Sequence, residues 1–150
     1  MATVHASAVL VGARAILIRG PSGAGKSRLA WELIEAGRSG AVGFARLVGD
    51  DRVHLRAAGG RLLVGPAETL AGLIELRGIG ILRRDHEACA VVGLVVDLAA
   101  ADAERLPQGA DTVVEEIPVP RLAVAPGEAA LPMVLAMVTS CRAGSVSKAT

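Results

Sequence analysis

Hydrophobic residues occur along the chain in short, nearly continuous runs separated by glycine-rich or charged segments. Such runs, bounded by turn residues, are typical of buried β-strands. The first two runs, Val4–Val11 and Ala15–Ile18, are separated by Gly12-Ala13-Arg14, so we expect a β-hairpin whose second strand leads into the segment at Gly20. The run Cys89–Leu98 is nearly continuous in valine and leucine and predicts a further strand.

Other segments carry strand signals of different kinds. Residues Ala45–Val48 form a short apolar stretch that predicts a strand. Residues Arg52–Arg56 and Arg61–Val64 flank a turn rich in alanine and glycine, which predicts a second hairpin. The segment Ile117–Val124 alternates but contains two prolines, and proline is confined largely to edge strands, so we expect it at an edge of the sheet.

Helical periodicity is clear in two segments only. Apolar residues at helical spacing predict an amphipathic helix over Arg28–Ala36 that ends at Gly37. A second helix is predicted over Ala129–Arg142, where Pro132 is tolerable in the first turn. Strands therefore outnumber helices, and several join through hairpins, which argues against a doubly wound parallel sheet. We expect a compact α/β domain with a mixed, hairpin-rich sheet.

A glycine-rich loop between the second predicted strand and the first helix fits the phosphate-binding pattern G-x-x-x-x-G-K-[ST]. Its residues are Gly20, Pro21, Ser22, Gly23, Ala24, Gly25, Lys26 and Ser27. Glycines let backbone N–H groups surround an anion, and the following helix N-terminus adds positive potential. Lys26 is placed to reach the β- and γ-phosphates, and the Ser27 hydroxyl to hold Mg²⁺. The strand, loop and helix together predict that the chain binds a nucleoside triphosphate.

Composition narrows the class of protein further. With 150 residues, we expect one domain with a sizeable core. Hydrophobic residues make up 52% of the chain, yet Trp31 and Phe44 are its only aromatic residues, so the core must be aliphatic. Few aromatic rings also disfavour binding to single-stranded nucleic acid, because bases stack on flat side chains. Net charge is +1 with no charged arm or tail, so we expect neither nucleic acid nor a membrane as a partner.

Two further features bear on location and redox state. The start of the chain lacks the basic region of a signal peptide, and Gly12 and Arg14 interrupt its apolar run too early for a membrane span. We therefore expect a soluble, cytoplasmic protein. Cys89 and Cys141 match no metal or redox spacing, so we expect reduced thiols packed in an apolar interior.

Acidic residues near the loop are the candidates for chemistry, because phosphoryl transfer needs a metal anchor and a group that activates the acceptor. Asp50 and Asp51 follow a predicted strand. One carboxylate could bind a metal while the other accepts a proton. The alternative is that they are solvated turn residues, as paired acids after a strand often are. Glu75 lies inside the apolar run Leu73–Leu76, which predicts a strand. A buried carboxylate there would need a cation such as Arg77 on the same face. The alternative is an exposed pair on an edge strand.

Four stretches of the chain together resemble the catalytic C-terminal domain of HPr kinase/phosphorylase. They are Val4-His5, Gly20–Ser27, Gly49–Val53 and Ile74–Ile81. The last is similar to a signature of that family with no counterpart in other P-loop proteins. The resemblance spans nearly the whole chain and indicates a short form that lacks the N-terminal domain of the family. It implies a P-loop fold similar to that of phosphoenolpyruvate carboxykinase.

The resemblance implies an ATP- and Mg²⁺-dependent protein-serine kinase that phosphorylates HPr or an HPr-like carrier of a phosphotransferase system. It also implies a homo-oligomer, a hexamer in the family. The implied metal ligands are Ser27, Asp50 and Glu75. The implied catalytic residues are His5, Lys26, Asp51 and Arg105. Among these, Asp51 matches the general base that takes the proton from the acceptor serine, and returns it when inorganic phosphate attacks phosphoserine.

One loop departs from the family. Its loop before the last helix carries two arginines around a Pro-Gly pair and is tied to dephosphorylation. In the matching stretch Val124–Ala129, alanine and glutamate stand in their place. Losing two cations and gaining an anion should weaken the binding of phosphate and phosphoserine, so we expect weak phosphorolysis. Two other functions stay open: a small-molecule P-loop kinase and a non-catalytic nucleotide-binding regulator.

Overall fold

The computed structural model describes residues 3–103 and 111–139. Within these ranges the strands are β1 (Thr3–His5), β2 (Ser7–Val11), β3 (Arg14–Arg19), β4 (Ala45–Gly49), β5 (Arg52–Ala58), β6 (Arg61–Pro66), β7 (Leu73–Leu76), β8 (Gly80–Arg83), β9 (Ala90–Asp97), β10 (Asp111–Val114) and β11 (Ile117–Ala123). The α-helices are α1 (Lys26–Ser39) and α2 (Ala130–Thr139), and a 3-10 turn spans Glu68–Leu70. Neither α-helix of the described ranges is long and apolar enough to cross a membrane.

Nine of these strands form one sheet, in which seven follow the order β1-β5-β6-β9-β3-β2-β4. Strand β9 is central: β3 pairs along one side of it, while β6 and then β11 pair with successive parts of the other side. Strands β3, β9 and β11 are parallel, and the remaining pairs are antiparallel. The prediction of a mixed, hairpin-rich sheet with few helices is therefore confirmed.

Two bends in the sheet place residues that are distant in the sequence side by side. The predicted strand Val4–Val11 is interrupted at Ala6, because β1 pairs with β5 whereas β2 pairs with β3 and β4. Strands β4 and β5 are joined by a similar bend at Asp50 and Asp51. The two bends face each other, and the N–H of Ala6 donates to the carbonyl of Asp51 at 3.2 Å.

The strand that leads into the glycine-rich loop is buried on both faces, as its continuous apolar run indicates. Ile16 and Ile18 belong to a cluster that includes Leu33 of α1 and Val134 of α2. Leu17, which points to the other face, packs in a second aliphatic cluster with residues of β4, β5 and β6. Two-sided burial fixes the end of β3, from which the loop departs.

Helix α1 does not end at Gly37 as predicted; it continues to Ser39 and is closed by Gly40 in the left-handed conformation, φ 87°. Gly37 serves close packing instead. A Cβ at this position would lie 2.7 Å from the Cβ of Ala45, so the missing side chain lets α1 approach β4. The sequence alone cannot distinguish a glycine that ends a helix from one that packs it.

Several smaller expectations also changed. Strands β8 and β10 were not predicted. In β11, the half with Pro118 and Pro120 pairs only with β10, while residues 121–123 pair with β9, so the strand is an edge only in part. Cys89 is exposed, so the prediction of a buried thiol is wrong for this residue. Cys141 lies outside the described residues.

Candidate nucleotide and metal site

The glycine-rich loop lies at the carboxyl end of the parallel strands, the edge at which ligands bind in open α/β sheets. Gly23 and Gly25 have φ of 83° and 99°, which favour glycine. No side chain of the described residues caps the start of α1, and its first turn contains no acid, so no capping side chain occupies the backbone N–H groups there. The Nζ of Lys26 donates to the carbonyls of Gly20 at 2.9 Å and Pro21 at 3.2 Å, which holds the ammonium group over the loop.

The carboxylate of Asp50 is where four structural elements converge. Asp50 is only 3% exposed. The hydroxyl of Ser27, at the start of α1, lies 2.6 and 2.8 Å from its two oxygens. The hydroxyl of Ser7 in β2 donates to Oδ1 at 2.6 Å, and the backbone N–H of Glu75 in β7 donates to Oδ2 at 3.1 Å. All of these partners are neutral, so the negative charge of Asp50 is hydrogen-bonded but not compensated by a cation within these contacts.

This donor set fits Mg²⁺. In the described ranges, no cluster of three His, Cys, Asp or Glu side chains is placed to hold a metal by itself. Mg²⁺ in phosphoryl-transfer sites is usually bound by one or two carboxylates, with waters and substrate phosphates as further ligands. The separation of 2.6–2.8 Å between Ser27 and Asp50 is close to the roughly 2.9 Å between neighbouring corners of an octahedron with bonds of about 2.0–2.1 Å. Oxygen ligands of this kind suit a hard cation once nucleotide phosphates are present.

Glu75 is placed differently from the expectation of a buried carboxylate. Strand β7 pairs only with β8, in a separate two-stranded sheet. Ile74 points into the core, and the next residue, Glu75, is exposed. The backbone N–H of Glu75 donates to Asp50, so strand β7 lies next to the site, while the Glu75 side chain is exposed to solvent.

Arg77 lies beyond the end of β7 and is not the same-strand partner of Glu75 that the sequence suggested. Its guanidinium approaches the glycine-rich loop instead: Nη2 is 3.9 Å from the point that a Cβ on Gly23 would occupy. A cation beside a phosphate-binding loop can contact the phosphates of a nucleotide. The sequence pattern could not show this, because the hairpin that carries Arg77 is positioned by tertiary packing.

Asp51 and Asp50 are adjacent in sequence but face different surroundings. The N–H of Arg52 donates to the carbonyl of Asp50 at 2.8 Å, which closes a γ-turn with Asp51 at its centre. Asp51 has φ 69°, a left-handed conformation that costs a residue with a side chain about 1–2 kcal/mol. The turn leaves Asp50 buried and Asp51 exposed. His5 is also exposed, with its Nδ1 4.0 Å from Oδ1 of Asp51.

A chain of four charged residues braces the end of β3, and sequence reasoning did not identify it. Arg19 donates to both oxygens of Asp97 at 2.7 and 2.8 Å, Arg121 also donates to Asp97, and the other side of Arg121 contacts Asp102 at 2.9 and 3.0 Å. Burial by itself raises the pKa of Asp97, but the hydrogen bonds and charges of Arg19 and Arg121 outweigh it and hold the pKa below its ordinary value. Because Arg19 directly precedes the loop, these ion pairs fix where the loop begins.

Ser7 was not predicted as a site residue; its signal was a single hydroxyl in the otherwise apolar strand β2. Arg105, the remaining predicted catalytic residue, lies outside the described residues. The structure thus brings Lys26, Ser27 and Asp50 together with the backbone of Glu75, and the bend that buries Asp50 exposes the next residue, Asp51, beside His5.

Comparison with known proteins shows the family to which the chain belongs. The family model described as "HPr Serine kinase C-terminal domain" matches residues 1–144. An HPr kinase/phosphorylase of an Exiguobacterium species is 43% identical over 83 residues, which cover 55% of this chain and 24% of that protein. The HPr kinase/phosphorylase of Geobacillus kaustophilus is 38% identical over 113 residues, covering 68% of this chain and 33% of that protein.

The fold has a match among solved structures as well. The structure of the Hpr(Ser) kinase/phosphatase from Coxiella burnetii superimposes with a TM-score of 0.73 at 22% identity, covering 93% of this chain and 89% of that chain. The matches to the two curated relatives span only about a quarter to a third of their length. The family model, in contrast, matches almost the whole sequence. The chain therefore belongs to the HPr serine kinase C-terminal domain family.

Proposed function

We propose that this chain is an ATP- and Mg²⁺-dependent protein-serine kinase that acts on HPr or an HPr-like phosphocarrier. The observation that carries the proposal is the contact between Ser27 of the glycine-rich loop and the buried Asp50, with Asp51 next to it and exposed. These contacts support a metal anchor at Asp50 and an accessible base at Asp51 near the glycine-rich loop. The names of the curated relatives support HPr as the acceptor.

Binding of the nucleotide falls to the loop, the start of α1 and two cations. In the contacts above Lys26 donates only to loop carbonyls, and it can transfer these hydrogen bonds to phosphate oxygens. Arg77 approaches the same loop at Gly23. Ser27 and Asp50, with Glu75 from the solvent side, would hold Mg²⁺. When bound, Mg²⁺ neutralises charge on the phosphates and orients them for in-line transfer.

Asp51 is the residue best placed to activate the acceptor. Its exposed carboxylate can reach the hydroxyl of a serine on another protein, which the buried Asp50 cannot. The Asp51 carboxylate takes the serine proton as the serine oxygen bonds to the γ-phosphorus, and the bond to the β-phosphate oxygen breaks to release ADP. His5, 4.0 Å from Asp51, can orient this carboxylate. The γ-turn keeps Asp50 buried and Asp51 exposed, which separates the metal ligand from the base.

The reverse reaction is expected to be weak. Pro126 and Gly127 form a turn between β11 and α2, and Glu128 is exposed there. An exposed carboxylate repels both inorganic phosphate and a phosphoserine, whereas the arginines of the family would attract them. Assembly into a homo-oligomer, a hexamer by family resemblance, remains part of the proposal.

Transfer of label tests the forward reaction. The protein is incubated with radiolabelled ATP, Mg²⁺ and purified HPr, and compared with Asp51→Asn. A general base contributes about 10²–10⁴-fold, so we expect the initial rate of HPr labelling to fall at least 100-fold. Asp111→Asn removes an exposed carboxylate from β10 and serves as the matched control, with an unchanged rate.

Other outcomes separate the rival functions. Consumption of ATP with a metabolite from a panel, but not with HPr, would indicate a small-molecule kinase. Nucleotide binding without transfer to either would indicate a regulator. Undiminished labelling by Asp51→Asn would contradict the role of Asp51. Rapid release of pyrophosphate from phosphorylated HPr and inorganic phosphate would show that the loop before α2 matters less than its charge suggests.

A further inference from the structure

Ser7 is a buried polar residue whose hydroxyl has one described hydrogen-bond partner, the carboxylate at the centre of the site. It is 0% exposed and lies in β2, followed by Ala8, Val9, Leu10 and Val11. Its hydroxyl donates to Oδ1 of Asp50 at 2.6 Å, across 43 positions of the sequence. A buried hydroxyl without a partner is costly, and a hydrogen bond to an ionised carboxylate is among the stronger ones in proteins. The pairing therefore constrains both groups.

The donors around Asp50 divide the carboxylate between them. The hydroxyl of Ser7 donates a hydrogen bond to Oδ1, and the N–H of Glu75 donates to Oδ2. The Ser27 hydroxyl lies within hydrogen-bond distance of both oxygens. A serine hydroxyl has one proton and two lone pairs, so Ser27 can donate to Asp50 and still offer a lone pair to a metal. Ser7 is 0% exposed and donates to Oδ1 independently of Ser27, so its hydrogen bond can fix the carboxylate while Ser27 contacts a cation.

We propose that Ser7 is a positioning residue of the metal site, which keeps the carboxylate of Asp50 directed at Ser27 when Mg²⁺ binds with the nucleotide. This inference rests on the proposed function, because it takes Ser27 and Asp50 as the metal-binding pair. Ser7 touches neither metal nor substrate, since it lies behind Asp50 and is fully buried. Loss of such a supporting hydrogen bond typically lowers metal affinity about 10–100-fold.

A pair of isosteric substitutions isolates the hydroxyl. Ser7→Thr and Ser7→Val add side chains of the same shape to a fully buried position, so any packing strain is shared, and only threonine retains the donor. Ser7→Ala removes the hydroxyl without adding a methyl group, and it replaces Ser7→Val if the latter unfolds. Ser39→Ala removes a hydroxyl that donates only to a helix carbonyl, at 3.2 Å from Ala36, and is the control.

The measurement is binding of a non-hydrolysable ATP analogue as a function of Mg²⁺ concentration. Trp31 reports binding by its fluorescence, because it is the only tryptophan, there is no tyrosine, and it lies one helical turn beyond Ser27. We expect half-saturation by Mg²⁺ to need about 10–100-fold more metal in Ser7→Val than in Ser7→Thr. Binding of the analogue in EDTA should be equal in the two variants, and Ser39→Ala should match the unmodified chain.

The outcomes distinguish this inference from the proposed function. If the unmodified chain binds the analogue with no dependence on Mg²⁺, the metal site itself is wrong and both proposals fail. If it depends on Mg²⁺ but Ser7→Val and Ser7→Thr need the same concentration, the role of Ser7 is refuted and the kinase proposal stands. Equal losses in the presence and absence of metal would likewise show that Ser7 only supports packing.

Discussion

Replacing Asp97 by asparagine removes the central charge from the ion pairs that brace the end of β3. The carboxylate accepts two hydrogen bonds from Arg19 and one from Arg121, and its side chain is 15% exposed. Asparagine keeps the size of the side chain but offers one acceptor and no charge. Two arginines would then remain close together without their shared counter-ion.

The cost follows from how far these groups are withdrawn from water. Removing one partner of a fully buried ion pair costs about 3–5 kcal/mol, and a hydrogen bond to a charged group contributes about 1.5–3 kcal/mol. The side chains of Arg19 and Arg121 are 34% and 20% exposed, so water recovers part of the loss. We expect the free energy of unfolding to fall by about 2 kcal/mol, which for a domain of this size lowers Tm by about 4–8 °C.

The pH dependence gives an independent check. The pKa of Asp97 is below its ordinary value of 3.8 in the folded protein, because the two arginines outweigh burial. A depressed folded pKa means that the contribution to stability is complete above the ordinary value and is lost as the pH falls through the lower folded value. The difference in Tm between the unmodified chain and Asp97→Asn should therefore be constant near neutrality and shrink below about pH 4.

Thermal unfolding followed by circular dichroism measures this, with Asp102→Asn as the matched control. Asp102 ends the same chain of ion pairs but is exposed, so its loss should change Tm much less. An equal loss from both substitutions, or a difference for Asp97→Asn that persists unchanged at pH 2–3, would refute the bracing role of Asp97.

Two further predictions concern packing and reactivity. Gly37→Ala should lower the free energy of unfolding, measured by chemical denaturation, by about 1–2 kcal/mol, because the new Cβ meets Ala45 at 2.7 Å. This loss is expected although alanine is the better helix former. A gain in stability would contradict the close packing of α1 on β4. Cys89 is exposed, so its thiol should react rapidly with Ellman's reagent in the native protein. Cys89→Ser should remove this rapid reaction. An unreactive native thiol would show that Cys89 is covered.

The parts of the fold that depend only on residues close together in the sequence were predictable. The strand at β3, the glycine-rich loop and the start of α1 follow from local rules: a continuous apolar run, glycines at positive φ, and an open helix N-terminus. The hairpin of β5 and β6 followed from its Gly59-Gly60 turn in the same way. These features needed no knowledge of the rest of the chain, because the backbone conformation and the turn chemistry lie within a few residues of each other.

The acids near the loop were predictable as candidates but not in their surroundings. Asp50 and Asp51 follow a strand, which suggests chemistry, yet only the γ-turn between β4 and β5 decides that one is buried and the other exposed. Glu75 sits in an apolar run and was expected to be buried, whereas its strand belongs to a separate two-stranded sheet with that face in solvent. Alternation along a strand does not state which face will be covered.

By itself the sequence determined that this chain carries a glycine-rich loop between a strand and a helix in a mixed, aliphatic sheet, because each of those features is encoded within one short segment. Only the tertiary structure decided that Ser27 and Ser7 meet Asp50 across 23 and 43 positions. Those contacts depend on two facing bends, where β1 leaves β2 to pair with β5 and β4 turns into β5. Strand pairing of this kind is set by burial over the whole sheet, so no local pattern around Ser7 or Asp50 contains it.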